Sequence, residues 1–495
     1  MQCCLPQSCE YHIAGIGRVF LDHPVSTEHG CAADQEETPC EQDDSEHVHV
    51  WDRVRRPLNL HGYTPLQAVA NEKPINNMFK KDNAARQRIA VGYDQYGLNQ
   101  FLSDLIPVKR RLADKRSAWC RDTARLVTRL PKASVIITVH NEAMSVLLRA
   151  VNSVIQTTPA ELLEEIIIVN DASDMEHLRK GFDSNFKDFD NVKILRIPKR
   201  IGFLSSRNKG ALISSAPVLI FLDSNIECTP GWLEPLLARI AEDRSTVVSP
   251  NMDIIDQETF EYDTADYAAV GGFNWNLIYQ WININEDILS KRSNPDEPIP
   301  TPNLPGGNFA IDKEFFKFLG QHDEVLDTLG FDNLELSIKS WTCGGRVELI
   351  PCSHVGHVAR SFVAMPETMR LNISMRTAEV LLDEYKDFFQ DRVGVEGLDI
   401  GDTSSRKMIS KQLGCWPFSW YVENVYPDLF IPAQSLATGE VRNPWSALCI
   451  ESGVTSDHFN QPVKLFPCNN MGGLQYWMFS ERGEIRQVMI LASRT

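Results

Sequence analysis

Short apolar runs that end abruptly in polar residues recur in the middle of the chain. Four of them are predicted to be strands: residues 133–139, 165–169, 191–197 and 218–222. Their continuous apolar character is typical of strands that are buried on both faces of a parallel sheet. Helices are predicted between them at 144–155 and 204–215. Strands that alternate with helices indicate βαβ units, an α/β fold and a mostly parallel sheet.

An acidic residue follows two of these strands, Asp171 after the second and Asp223 after the fourth. Ligands of open α/β sheets bind beyond the carboxyl ends of the strands. A carboxylate there, with a second ligand two residues later, is a common way to hold a divalent cation and a nucleotide diphosphate. An isolated Asp after a strand is more often a turn or helix cap. The second occurrence favours the ligand interpretation.

The chain beyond this region contains adjacent glycines and one histidine of interest. Residues 246–250 are predicted to continue the sheet, and glycine pairs follow at 271–272 and 306–307. Adjacent glycines permit close backbone approach to a sugar or phosphate, although a simple tight turn explains them equally well. His357 lies in a short glycine-containing segment that is followed by Arg360, and both a ligand role and a packing role are open for it.

Length and composition limit the class of protein. A chain of 495 residues, with 43% hydrophobic and 23% charged residues, predicts two or three globular domains. The formal net charge of -17 argues against duplex nucleic acid as a partner, because such binding requires a basic surface. It does not exclude an anionic nucleotide, which arginine, a metal ion and backbone N–H groups can hold locally.

The cysteines and the N-terminal sequence point to different compartments. Twelve cysteines and the glycosylation pattern Asn372-Ile373-Ser374 indicate an oxidising environment. However, residues 1–6 lack the basic and apolar regions of a signal peptide. No run of about 20 apolar residues occurs, so no membrane span is predicted.

Five longer stretches, in this order and spacing, resemble the polypeptide N-acetylgalactosaminyltransferases, the enzymes that begin mucin-type O-glycosylation. They are Val-His-Asn-Glu-Ala at 139–143, Gly-Trp-Leu-Glu-Pro-Leu-Leu-Ala-Arg-Ile at 231–240, Gly-Gly-Phe-Asn-Trp at 271–275, Cys-Ser-His-Val-Gly-His-Val at 352–358 and Pro-Phe-Ser-Trp-Tyr at 417–421. Each motif alone is weak, but five in order are highly specific. The resemblance covers about residues 99–487.

The resemblance implies a type II Golgi protein with three parts. These are an acidic, irregular stem over residues 1–98, a Rossmann-like GT-A catalytic domain over 99–432, and a truncated, partial ricin-like β-trefoil lectin domain over 433–495. The implied reaction is the retaining transfer of GalNAc from UDP-GalNAc to Ser or Thr hydroxyls of polypeptides, with Mn²⁺ as cofactor.

The resemblance also implies roles for individual residues. Thr138, Asp171 and Arg200 are expected to contact the nucleotide, together with Gly307 and with Arg360, which belongs to a loop that closes over the diphosphate. Asp223 and His357 match two of the three metal ligands, and Ser224 is expected beside the metal. Asp332 and Asn333 are expected in the catalytic centre. The implied disulfides are Cys120–Cys352, Cys343–Cys415 and Cys449–Cys468.

Several positions depart from the family pattern. The metal motif Asp-x-His has Asn225 in its third place, and an amide oxygen is usually a poorer transition-metal ligand than imidazole. The family's Trp-Gly-Gly-Glu-Asn reads Leu-Gly-Phe-Asp-Asn at 329–333, and its Gly-Gly-Leu-Phe has Asn308 in the third place. Ala359 replaces a Phe, and the loop tyrosine near Met365 is not evident.

These departures leave two hypotheses of different class. The first is an active glycosyltransferase with altered metal affinity or acceptor choice. The second is a weak or inactive relative that binds a UDP-sugar, a glycopeptide or a partner protein. A nicotinamide-type Rossmann enzyme is a poor third alternative, because no Gly-x-Gly-x-x-Gly follows the first strand.

The C-terminal part carries one clear ricin-like repeat, with Cys449-Ile450-Glu451 and Gln475-Tyr476-Trp477. Glu451 replaces the sugar-binding Asp, and Leu474 stands where the family usually has Asn. A folded remnant that packs on the catalytic domain is therefore favoured over binding of GalNAc-glycopeptides. The disulfides favour the Golgi lumen, although no anchor or signal is visible in the chain.

Overall fold

The structure is a computed structural model. It describes residues 9–13, 17–21, 83–122, 129–179, 181–264, 269–275, 277–325, 332–360, 367–393, 398–429, 431, 435–443, 446–452, 462–468, 473–480 and 485–487. The chain divides into two compact units, one formed by Tyr63–Gln434 and the other by Met1–Gly62 with Ser435–Thr495.

The larger unit is built on a mixed sheet of ten strands. The strands are β3 (Ala133–Val139), β4 (Leu163–Asp171), β5 (Val192–Ile197), β6 (Val218–Leu222), β7 (Ile226–Cys228), β8 (Thr246–Ile255), β9 (Tyr262–Asp263), β12 (Ile299–Pro300), β13 (Phe309–Asp312) and β14 (Arg346–Val358). Eight of them lie in the order β12-β14-β8-β13-β6-β3-β4-β5, while β7 pairs with β14 and β9 with β8. A separate hairpin consists of β10 (Ala269–Phe273) and β11 (Tyr279–Asn283).

The mostly parallel arrangement predicted for the strands within residues 133–222 is confirmed, and the complete sheet is mixed. The four predicted strands do form a parallel block, β6-β3-β4-β5. Strand β13 then enters antiparallel to both β6 and β8. The segment before β13 is a proline-containing connection rather than a crossover helix, so the chain returns in the opposite direction and the βαβ rule does not apply to it.

The described residues of the larger unit contain thirteen helices, some of which pack on the two faces of the sheet. In chain order they are α1 (Asn83–Tyr96), α2 (Gln100–Leu105), α3 (Ala118–Arg121), α4 (Met144–Thr157), α5 (Phe203–Ile213), α6 (Leu233–Glu242), α7 (Glu286–Lys291), α8 (Lys313–Phe318), α9 (Asp332–Thr342), α10 (Glu367–Leu381), α11 (Lys386–Val393), α12 (Ser404–Leu413) and α13 (Phe418–Asn424). Helices α4 and α6 share one apolar cluster with the sheet, and α5, α8 and α9 share another. Along β3, Val135 and Ile137 belong to the first cluster while Ile136 belongs to the second. This double burial explains the continuous apolar runs in the sequence.

The segment before the sheet is helical where an irregular stem was expected. Helix α1 lies within residues 1–98, and α2 begins after Asn99, whose side chain accepts a hydrogen bond from the Leu102 N–H. The residues after α2 are held against the sheet by Arg110, which forms an ion pair at 2.7 Å with Glu227 on β7.

Cysteine pairing in the structure matches the resemblance. The disulfides Cys120–Cys352 and Cys343–Cys415 lie in the larger unit, and Cys449–Cys468 lies in the smaller unit. All three implied pairs are confirmed. The sequence pattern Asn372-Ile373-Ser374 lies inside helix α10, where Ser374 is buried, rather than in a surface loop.

The smaller unit consists of short antiparallel strands. Strands β15 (Ser435–Glu440), β18 (Tyr476–Ser480) and β19 (Ile485–Gln487) form one sheet, β16 (Leu448–Glu451) pairs with β17 (Lys464–Pro467), and β1 (Cys9–Ile13) pairs with β2 (Gly17–Leu21). The Trp477 indole donates to the Ile450 carbonyl at 2.7 Å, and the buried Gln475 donates to the Glu451 carboxylate at 2.9 Å. These contacts join the two halves of the single repeat. The partial β-trefoil and the domain boundaries at 98 and 432 stay predictions.

None of the helices in the described residues combines the length and the apolar character that a membrane crossing requires.

Candidate functional site

Strand pairing brings two of the predicted metal ligands together. After β6 the chain turns through residues 223–225 into β7, which pairs antiparallel with the end of β14. His357 on β14 lies opposite Ile226 in this pair, so its ring reaches back toward the turn. The His357 Nε2 lies 3.4 Å from the Asp223 Oδ2. Residues separated by more than 130 positions in sequence therefore form one local site.

The Asp223 carboxylate is held from several sides. Arg207, which is fully buried, donates to its Oδ1 at 3.2 Å, and the Asn308 amide donates to its Oδ2 at 3.1 Å. Burial raises the pKa of the Asp223 carboxyl, but the hydrogen bond with His357 and the charge of Arg207 outweigh it, so the pKa lies below its ordinary value. Asp223 is thus an ionised carboxylate in a fixed orientation.

Asn225 is buried beside this carboxylate. Its side-chain nitrogen donates to the Val358 carbonyl at 3.0 Å, and its own backbone carbonyl accepts from the Val358 N–H at 2.9 Å. Because the nitrogen is committed to a backbone carbonyl, the amide oxygen is the only atom of this side chain that is available as a metal ligand.

The donor atoms at the site fit a divalent transition metal. A carboxylate, an imidazole nitrogen and an amide oxygen are ligands that Mn²⁺ accepts. Two ligand atoms on one such ion are separated by about 3 Å, given ion–oxygen distances of about 2.2 Å. The separation of 3.4 Å between His357 and Asp223 is close to that value. Asp223, Asn225 and His357 are therefore the residues that could hold a metal.

A buried carboxylate that the sequence analysis left without a role connects two of the predicted residues. The Glu142 Oε2 accepts a hydrogen bond from the Ser224 hydroxyl at 2.6 Å and also from the Arg360 guanidinium. Its other oxygen accepts from the Ala143 N–H at 2.8 Å. In the sequence, Glu142 is marked only by the motif His140-Asn141-Glu142, a family feature that by itself indicates no function for this residue.

The predicted nucleotide contacts lie at the same edge of the sheet. Thr138 is at the end of β3, and its buried hydroxyl has no hydrogen-bond partner among the described residues. Asp171 ends β4, where its two carboxylate oxygens accept from the N–H groups of Ile201 and Gly202, both at 2.9 Å. Asp171 thereby orders the turn that carries the exposed Arg200.

Gly307 contacts the metal site directly. Its carbonyl accepts from Arg207 at 2.6 Å, and a Cβ on Gly307 would lie 2.9 Å from that guanidinium and 3.3 Å from the Asp223 carboxylate. A side chain here would crowd the site, so the glycine permits close packing. Arg207 is a second residue that sequence reasoning missed, since a single arginine inside a helix carries no distinctive signal.

The predicted catalytic pair lies at the start of helix α9. Asn333 is buried, and its side-chain oxygen has no hydrogen-bond partner in the part of the chain that the structure describes. Asp332 is the first residue of the helix. Leu329, Gly330, Phe331 and Met365 lie outside the described residues, so their expected effects stay predictions.

Comparisons with known proteins agree with this geometry. The sequence model of the family "Glycosyl transferase family 2" matches residues 134–320. The chain is 43% identical over 423 residues to the putative polypeptide N-acetylgalactosaminyltransferase 9 of Drosophila melanogaster, which covers 84% of the chain and 65% of that protein. It is 41% identical over 419 residues to the human polypeptide N-acetylgalactosaminyltransferase 13, which covers 83% of the chain and 74% of that protein.

The chain belongs to the polypeptide N-acetylgalactosaminyltransferase family. Its fold is similar to the crystal structure of GalNAc-T7 with UDP, GalNAc and Mn²⁺, with a TM-score of 0.67 and 31% identity over 85% of this chain and 80% of that one. The GT-A fold of the catalytic domain is thus confirmed. The chain spans somewhat less than two thirds of the Drosophila relative and of the Caenorhabditis elegans polypeptide N-acetylgalactosaminyltransferase 5, at 65% and 63% of their lengths.

Proposed function

We propose that this member of the family is a Mn²⁺-dependent retaining glycosyltransferase, which transfers GalNAc from UDP-GalNAc to Ser or Thr hydroxyls of polypeptides and so initiates mucin-type O-glycosylation. The observation that carries the proposal is the contact between His357 and Asp223 just after the carboxyl end of β6, two residues before Asn225. Ligands of open α/β sheets bind at that edge.

Different residues of the chain are assigned to different parts of the donor. Thr138, Asp171 and Arg200 are assigned to the nucleotide, and the Thr138 hydroxyl, which has no partner among the described residues, supplies a hydrogen-bonding group for it. Asp223, Asn225 and His357 would hold Mn²⁺, with Ser224 beside them, and the ion would act as a Lewis acid that stabilises charge on the departing diphosphate. Gly307 leaves room for the donor next to Asp223.

Bond making requires a positioned acceptor hydroxyl rather than a strong base. The bond between the sugar C1 and the UDP oxygen breaks, a bond from C1 to the Ser or Thr oxygen forms on the same face, and the hydroxyl proton passes to the leaving diphosphate. Arg360 is assigned to the diphosphate, and its Nε, which has no partner among the described residues, is available to an anion. Asp332 and Asn333 are assigned to the sugar and the acceptor.

A second candidate function is a weakly active or inactive relative that binds a UDP-sugar, a glycopeptide or a partner protein. The observation in its favour is Asn225, whose amide is hydrogen-bonded to Val358 and offers the metal only a neutral oxygen. The changed motif at residues 329–333 adds to the argument.

An assay with purified protein separates the two functions. The protein is incubated with UDP-GalNAc, Mn²⁺ and a panel of Ser- and Thr-rich peptides, and glycopeptide is detected by mass spectrometry. Asp223→Asn, which removes the carboxylate charge at nearly constant volume, is the matched negative control. Glycopeptide from the unaltered chain alone supports the transferase. Absence of product together with intact UDP binding supports the binding protein.

The proposal extends to localisation and to the C-terminal repeat. We assign the chain to the Golgi lumen, an oxidising compartment in which its three disulfides persist. We assign the C-terminal repeat a structural role, because the Glu451 carboxylate is already hydrogen-bonded to Gln475. Removal of residues 440–495 should leave glycopeptide affinity unchanged, and a marked loss of affinity would instead assign sugar binding to the repeat.

A further inference from the structure

The side-chain amide of Asn308 forms hydrogen bonds to Asp223 through both its oxygen and its nitrogen. The Asp223 backbone N–H donates to the Asn308 Oδ1 at 2.7 Å, and the Asn308 Nδ2 donates to the Asp223 Oδ2 at 3.1 Å. A backbone N–H can only donate, so the amide oxygen must face it and the amide nitrogen must face the carboxylate. The orientation of the Asn308 side chain is therefore determined by chemistry.

The surroundings of Asn308 hold it in place. The residue is 1% exposed and directly precedes β13, which pairs with β6, the strand that leads into Asp223. Its backbone carbonyl accepts from the Ser249 hydroxyl on β8 at 3.1 Å. A buried amide is costly unless its hydrogen bonds are made, and here the two that face Asp223 are made with good distances.

We propose that Asn308 is a positioning residue that orients the Asp223 carboxylate for metal binding in this chain. The inference rests on the proposed function, since it concerns the Mn²⁺ site of that reaction. Asn308 takes the place of the family's usual Leu, which cannot form either hydrogen bond. Because Asn225 supplies only an amide oxygen, affinity for the ion depends strongly on how well Asp223 is presented.

The other partners of the Asp223 carboxylate also support this role for Asn308. Arg207 donates to Oδ1, and His357 lies against Oδ2. The Asn308 amide donates a hydrogen bond to Oδ2 and accepts one from the Asp223 backbone N–H. Together these two bonds prevent the carboxylate from turning fully toward Arg207. Partners that orient a metal ligand typically contribute about 10–100-fold in metal affinity.

The test is a Mn²⁺ titration of the full chain, in which free Mn²⁺ is quantified by electron paramagnetic resonance. Asn308→Leu keeps the branching of the side chain and its number of heavy atoms, cannot form either hydrogen bond, and restores the usual family residue. We expect it to weaken Mn²⁺ binding at least tenfold, while UDP affinity without metal and the midpoint of thermal unfolding change little. If Asn308→Leu does not fold, Asn308→Ala removes the same hydrogen bonds without adding volume and is measured instead.

Asn303→Leu is the matched control. Asn303 is equally buried, but its amide bonds the Gly272 carbonyl and the Ser337 hydroxyl, away from Asp223. A similar loss of Mn²⁺ affinity in this control would show a general packing effect and overturn the inference. So would unchanged affinity in Asn308→Leu, with the proposed function intact if the unaltered chain binds Mn²⁺ and transfers GalNAc. If the unaltered chain binds no Mn²⁺ with or without UDP, the proposed metal dependence fails together with the inference.

Discussion

Arg360 forms an ion pair with Glu142, a residue 218 positions earlier in the chain, and both side chains are largely buried. The same carboxylate oxygen accepts the Ser224 hydroxyl. The residue assigned to the diphosphate and the residue assigned to the side of the metal thus share one partner. The Glu142 carboxylate therefore positions both side chains. No local sequence pattern indicated this role.

The Glu142–Arg360 pair should show strong energetic coupling. In a double-mutant cycle with Glu142→Gln and Arg360→Gln, measured by urea unfolding, we expect a coupling free energy above about 1 kcal/mol. Either single substitution leaves the remaining charged side chain buried without its ion-pair partner. The exposed pair Lys132–Glu164, at 2.8 Å, is the matched control and should show less than about 1 kcal/mol. Equal coupling in both pairs would contradict the prediction.

Asn225→His should raise Mn²⁺ affinity by about tenfold or more, because imidazole is a better transition-metal ligand than an amide oxygen. The histidine can keep a hydrogen bond to the Val358 carbonyl through one ring nitrogen while the other faces the metal. The measurement is a Mn²⁺ titration of both proteins, and any transferase activity should appear at lower metal concentration. An unchanged titration curve would refute the idea that Asn225 limits metal binding.

His322 should make stability fall on mild acidification. It lies among Phe221, Phe309 and Phe316, and both ring nitrogens lack hydrogen-bond partners among the described residues. Burial, and then the charge of Arg207, lowers the pKa of His322 to about 3. The unfolded chain binds a proton near pH 6.5 while the folded protein stays neutral, so stability is lost as pH falls below about 6.5.

His322→Phe removes this proton uptake and suits the aromatic surroundings. The free energy of unfolding, measured in urea between pH 7 and pH 4.5, should depend less on pH in this variant. His140→Phe, at a partly exposed position, is the comparison for loss of a histidine as such. A steep slope retained in His322→Phe would mean that other groups are responsible.

Glu335 should contribute to the loss of stability at lower pH. Burial raises the pKa of the Glu335 carboxyl, but the charges of Lys339 and Arg406 outweigh it and lower the pKa to about 2. The resulting stabilisation is present above the ordinary pKa of about 4.5 and is lost as pH falls toward 2. Glu335→Gln should therefore be less stable at pH 7, by about 3 kcal/mol, yet lose less stability between pH 4.5 and pH 2. Urea unfolding across this range tests it, and parallel pH curves for the two proteins would contradict it.

The apolar runs along the chain were sufficient to locate the elements that carry the site. The strands predicted at 133–139 and 218–222 have those bounds in the structure, and Asp171 and Asp223 lie at the strand ends as expected. These features are local, because burial on both faces requires a continuous apolar run whatever the rest of the fold does. The five family motifs, one of which contains His357, indicated the family and with it the disulfide pairs.

Other features required the tertiary structure. An apolar segment such as Phe309–Asp312 has the same pattern in either direction, so only the path of the chain decides that it runs antiparallel. In the sequence, Asn308 is only a departure from a motif, whereas in the structure its amide is hydrogen-bonded to Asp223. Likewise, the sequence assigns Glu142 no role, whereas in the structure its carboxylate accepts hydrogen bonds from Ser224 and Arg360. Hydrogen bonds between residues 80 to more than 200 positions apart leave no periodic trace in a sequence. Local sequence identified the candidate metal and nucleotide ligands. The fold decided how each is oriented and added groups such as Glu142 and Arg207, because orientation depends on partners that only folding brings within bonding distance.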